Sequence, residues 1–140
     1  MLAEAITATI LSNNTDVTDI VDGNIFTSTA GNNQAGYYIM IYLASTTPQT
    51  SKGGPADVDE CHMQVDCFGS DGATVVQLAD AIRRALEFTN TVVNTAIGSA
   101  NVQGCILLNS SRSQGYDSNS RAEGLRRVTQ DFQIRIERTP

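Results

Sequence analysis

Tryptophan is absent from this 140-residue chain, lysine occurs once, at Lys52, and histidine once, at His62. A solitary histidine can do metal or acid-base chemistry only with partners brought from elsewhere in the chain. The nucleophile elbow G-x-S-x-G, a phosphate-loop lysine, H-E-x-x-H and a G-x-G-x-x-G after a strand are all missing. The Gly53-Gly54-Pro55 pair lacks the following helix that would make it an anion site. Cysteine is scarce and odd in number. Cys61, Cys67 and Cys105 fit no metal spacing, and each lies in an apolar or alternating run. They read as buried, reduced thiols acting as small hydrophobes. No run of 18 apolar residues exists, and no basic start precedes an apolar stretch. The expectation is a soluble, unexported chain without a membrane span. No catalytic, cofactor or metal residue is assigned, and no enzyme activity is expected.

Positive charge is also in short supply. The formal charge is −6, which argues against a duplex-binding surface, since that affinity comes from Lys and Arg displacing counterions. The deficit is uneven. Residues 1–82 carry ten Asp/Glu and one Lys, or −9, whereas residues 83–140 carry five Asp/Glu and eight Arg, or +3. Two halves of opposite sign suit contacts within the fold or between copies.

What is present is one domain's worth of alternating and helical pattern, residues 1–140 together. The clearest unit is 61–86. Cys61, Met63, Val65 and Cys67 alternate with polar residues, the period of a strand with one buried face. After Gly69-Ser70-Asp71-Gly72, the residues Val75, Leu78, Ala79, Ile82 and Leu86 form one helical stripe, with Ser70 or Asp71 as N-cap. Leu2 to Leu11 predicts an N-terminal helix with Leu2, Ile6 and Ile10 on its buried face. Asp16 to Val21 predicts a helical turn ended by Gly23. Asp16, Asp19 and Asp22 recur every third residue, but Val17, Ile20 and Val21 between them do not fit a calcium loop.

Tyr37 to Ala44 is apolar at both parities and reads as a strand covered on both faces. Residues 104–109 read as a short strand. The final run alternates Val128, Phe132, Ile134 and Ile136 with Asp131, Gln133, Arg135 and Glu137. Residues 45–58 and 110–124 are polar and read as long hairpin loops, and 89–102 as a connection. The expected fold is α+β: a four-stranded, largely antiparallel sheet with an N-terminal and a central amphipathic helix, in the order α-β-β-α-β-β.

This order of elements resembles the tail completion, or tail terminator, proteins of long-tailed bacteriophages and phage-like particles. The likeness is carried by the N-terminal helix, DGNIF at 22–26, YYIMIYLAST at 37–46, MQVDCFGSDGATVVQLADAIRRAL at 63–86 and RVTQDFQIRIE at 127–137. The chain departs from the family in having Gly36 where a proline commonly precedes the Tyr-rich strand. The resemblance implies a structural virion protein at the tail-neck junction, assembled in the host cytoplasm into a hexameric ring. Such a ring would end the tail tube, meet the head-tail connector or stopper protein, and let duplex DNA pass through its lumen without specific binding. Arg83, Arg84 and Arg135 would then be candidates for the subunit interface. Lys52, Asp57, Arg112, Tyr116 and Arg121, in the two polar loops, would be candidates for tube and connector contacts. The competing readings are another neck ring, such as a head-completion or stopper protein, and a ligand-binding or enzymatic α+β domain using His62.

Overall fold

The computed structural model describes residues 2–27, 36–51, 54–87, 89–95, 98–115 and 125–138. Within them the order is α1 (Leu2–Ser12), α2 (Thr15–Val21), β1 (Ile25–Thr27), β2 (Tyr38–Ser51), β3 (Gly54–Gly69), α3 (Gly72–Leu86), β4 (Thr91–Thr95), β5 (Gly98–Gly115) and β6 (Leu125–Arg138). The fold is α+β as expected, but the sheet has six strands, in the order β1-β2-β3-β6-β5-β4. The four expected strands are its centre. The two additions are edge strands: β1 runs parallel to β2, and β4 pairs antiparallel with β5.

The expected loop at 45–58 is strand at every described residue, and that at 110–124 is strand from Ser110 to Gly115, its remaining residues lying outside the described ones. β2 and β3 remain paired as far as Ser51 and Gly54, while β5 and β6 pair as far as Gly115 and Leu125. The span read as a connection at 89–102 holds β4 and the start of β5. In the two expected loops Ser45 to Thr47 and Ser110 to Arg112 are exposed, so no apolar alternation marks them. They are strands because the neighbouring strand of each hairpin supplies backbone hydrogen-bond partners along the ladder.

α1 and α3 both contact β3 and β5 and each other, and α2 packs on both of them, which puts the helices on one face of the sheet. The α3 stripe of Val75, Leu78, Ala79, Ile82 and Leu86 is buried against Cys61, Met63, Val65 and Cys67 of β3 and Val128, Phe132 and Ile134 of β6. Each large member contributes roughly 1.5–3 kcal/mol, more than helix propensity supplies. Gln130 reaches out of β6 to donate from Nε2 to the Ala79 carbonyl at 3.0 Å, pinning helix to strand inside the core. Asp71 is the N-cap of α3, accepting from the Ala73 amide.

On α1 the buried positions are Ala3, Glu4, Ile6, Thr7 and Leu11, Ile10 is only partly buried, and the Leu2 side chain lies outside the described ones. The helix is therefore rotated slightly from the expected stripe. Asn14 caps α2 by accepting from the Val17 amide at 3.2 Å, and the helix ends in left-handed backbone at Asp22 and Gly23. Gly36 has φ of +80°, a conformation closed to proline, which accounts for glycine at that position. Gly69 is required for a different reason. A Cβ there would run into the ring of Tyr37 and come within 2.8 Å of Val75 Cγ2.

Candidate assembly surfaces

The sheet face away from the helices carries the opposite parity of every central strand. Strand register sets its rows: Tyr38, Phe68 and Arg127; Met40, Asp66 and Thr129; Tyr42, Gln64 and Asp131; Ser45, His62 and Gln133. Tyr38 and Phe68 stack with centroids 4.6 Å apart. Asp66 is buried on this face, its carboxylate accepting from Gln64 Nε2 at 3.2 Å. Burial, and then the Asp66 charge beside it, pushes the Tyr42 phenol above its ordinary range. Tyr38, Met40 and Tyr42 are half-buried among strand neighbours. The coverage expected for this side of β2 does not come from a helix. Ile106, Leu108 and Val92 are the exposed large hydrophobics among the described residues.

His62 stands on this open face, its Nε2 at 3.8 Å from Asp131 Oδ1. That is too long for a hydrogen bond. Among the described residues no three His, Cys, Asp or Glu side chains converge as metal ligands would, and no helix is long and apolar enough to cross a membrane.

The three cysteines are free and buried, as the sequence suggested. Burial pushes Cys67 and Cys105 up from an ordinary 9.0 to about 12, and the Cys67 thiol donates to the carbonyl of Val128 at 3.6 Å. Thiolate is the reactive form, so maleimide at about pH 8 should leave both unmodified in the native protein and label them in urea. The sign of the pH effect follows. Unfolded thiols ionise first, so the stability linked to keeping them neutral is intact below about pH 9 and falls between about 9 and 12. Each thiol weakens the folding equilibrium by up to about tenfold per pH unit in that window. Native labelling at about pH 8 would contradict the buried placement.

On the helix side, an open groove of about 590 Å³ lies between the start of α3 and the β5–β6 hairpin. Val75, Val76 and Val128 form its floor, and Arg112, Arg126 and Arg127 line it with Gly72 and Ala73. A smaller groove continues along α3, sharing Val76, Arg112 and Val128. Register explains the gathering of arginines. Arg112 pairs across the ladder with Val128, and Gln114 with Arg126, so residues far apart in sequence meet at one end of the sheet.

The sequence-derived interface residues are exposed but already partnered within the chain. Arg83 pairs with Glu87, Arg84 with Asp80 at 3.1 Å, and Arg135 with Glu60 at 3.8 Å. They do not form one patch, since two lie on α3 and Arg135 on the open sheet face. Of the loop candidates, Arg112 lies in β5 and lines the groove, and Asp57 falls in β3 near the hairpin turn. Lys52, Tyr116 and Arg121 lie outside the described residues. Arg126, beside α3, is the groove residue that sequence reading missed. Its only signal was the Arg126-Arg127 pair opening an otherwise alternating strand.

Register also places the two hairpin turns. Gly69 of β3 lies beside Arg126 of β6, whereas Val58 lies beside Glu137. The β5–β6 turn is therefore at the Gly69 end of the sheet, and the β2–β3 turn is at the other.

The described chain is thus a helix-backed sheet with an open face, an arginine-lined groove and a hairpin at each end. Comparison with known proteins gives the family: residues 4–137 match the one described as "Tail completion protein gp17", and the chain belongs to it. The fold is also found in a chain of the "Virion of native gene transfer agent (GTA) particle", 17% identical with a TM-score of 0.74, covering 96% of this chain and 93% of that one. A second solved chain is 14% identical with a TM-score of 0.55, covering 99% of this chain and 97% of that one. No curated protein sequence matches. The chain is thus a tail completion protein, a structural component of phage-like particles.

Proposed function

We propose that this protein forms a hexameric ring that ends the tail tube and joins it to the head-neck connector, as a single domain with no enzymatic role. Family membership supports the tail location. The observation that carries the ring-joint reading is the placement of the two hairpin turns at opposite ends of one sheet. A joint must grip different partners on opposite sides, and hairpin ends can be committed to them without disturbing the helix-covered core. Lys52 and Asp57 at one turn, and Tyr116 and Arg121 beyond the other, are the side chains assigned to tube and connector. Arg83, Arg84 and Arg135 are assigned to subunit contacts, with modest weight because exposed, already paired charges contribute little. DNA passes through the lumen without being held, consistent with the net charge of −6.

Native mass spectrometry of the full chain over a range of concentrations is expected to give hexamers. Electron microscopy of particles carrying a tagged copy is expected to place density between tube and connector. Monomers at every concentration, together with particles lacking that density, would overturn the reading. Density on the head side of the joint would assign the chain to a stopper ring instead.

A further inference from the structure

Most of the described side-chain charges have a partner within the chain. Glu60, Asp80 and Glu87 pair with arginines, Asp131 faces His62, Asp66 accepts from Gln64, Glu137 from Gln103, and Asp71 caps α3. Glu4, Asp59 and Arg127 have interactions as well. Among the charged residues whose side chains are described, five have no side-chain hydrogen bond or ion pair: Asp16, Asp19 and Asp22 on α2 and its cap, and Arg112 and Arg126 in the groove. The acidic three are exposed and spaced every third residue, so they form one ridge with Ile20 partly buried beside it. The basic two flank a valine-floored groove that ends at the first turn of α3.

We infer that the groove of one copy receives the α2 acidic ridge of the next, making the head-to-tail contact that closes the ring. This rests on the ring reading above and specifies its interface. Ridge and groove are different patches on one subunit, and a heterologous contact between them repeats around a closed ring. The charge signs match, and the valine floor suits the exposed edge of Ile20, which otherwise packs against its own core beside the carboxylates. A phosphate backbone would use the arginines and leave that floor unfilled. The unequal charge of the two halves of the sequence then has a purpose: like surfaces repel, and opposite ones set orientation.

The test is charge reversal in the full-length protein at exposed positions, with thermal melts to confirm folding. Arg126→Glu or Asp19→Arg alone should raise the concentration for ring assembly at least tenfold. The double variant Asp19→Arg with Arg126→Glu should recover most of that loss. A chain carrying Asp19→Cys and Ala73→Cys should form disulfide ladders between subunits under oxidation. Rings that persist in folded single-reversal variants, or a double variant no better than either single one, would overturn this interface while leaving the ring intact. A wild-type protein that never associates would defeat both. Binding of a 20-base-pair duplex at near-physiological salt that is lost in Arg126→Glu would make DNA the occupant and also overturn the proposal.

Discussion

Leu78→Asp is expected to leave no cooperatively folded protein. Leu78 is fully buried in the middle of the α3 stripe, facing β3 and β6. Removing its side chain alone would cost about 2–5 kcal/mol through lost burial and the cavity left behind. The carboxylate adds the cost of a buried charge, and no described cation lies in this core to pair with it. Together these match or exceed a total stability of roughly 5–15 kcal/mol for a domain of ordinary size. The measurement is circular dichroism with a thermal melt. A soluble Leu78→Asp variant with a sharp native-like transition would show that α3 does not cover the sheet as described. Arg83→Ala, on the exposed side of the same helix, should melt close to wild type.

Shortening the β2–β3 hairpin should abolish function and spare the fold. Pro48 and Asp59 face each other in the register, so replacing residues 49–58 by Asn-Gly closes the strands with a two-residue turn. The core pairs from Tyr38–Phe68 to Leu43–Met63 are untouched, as is the groove at the opposite end. Stability should fall by no more than about 1–2 kcal/mol, in line with losing a ladder end far from the core. Ring assembly should persist. Head-tail joining, counted as complete particles in electron micrographs, should drop at least tenfold, because one gripping surface is gone. Normal numbers of joined particles of normal tail length would remove this hairpin from the joint. Partner contacts would then be sought at the β5–β6 turn.

The central strands and helices were determined by the sequence alone, and for a single reason. Wherever a side chain has to be buried, its position is written in the spacing of apolar residues. Cys61 to Cys67, Val75 to Leu86 and Val128 to Ile136 are all buried as that spacing requires. Asp71 as a cap and three buried thiols follow from the same local chemistry. The sequence did not reveal structure that is held by partners instead of by burial. Thr46 and Thr47, or Ser111 and Arg112, are exposed yet lie in strands because a neighbouring strand supplies their hydrogen bonds. β1 has only three residues, too few to show a period. The interface residues divide the same way. Arg83, Arg84 and Arg135 were legible as charges, but their pairing with Glu87, Asp80 and Glu60 depends on the helix turn and the strand register. The groove itself exists only in three dimensions. Arg112 and Arg126 belong to different strands, and antiparallel register sets them on one face beside the first turn of α3. Local pattern decides what each segment buries, whereas register decides which exposed side chains become neighbours.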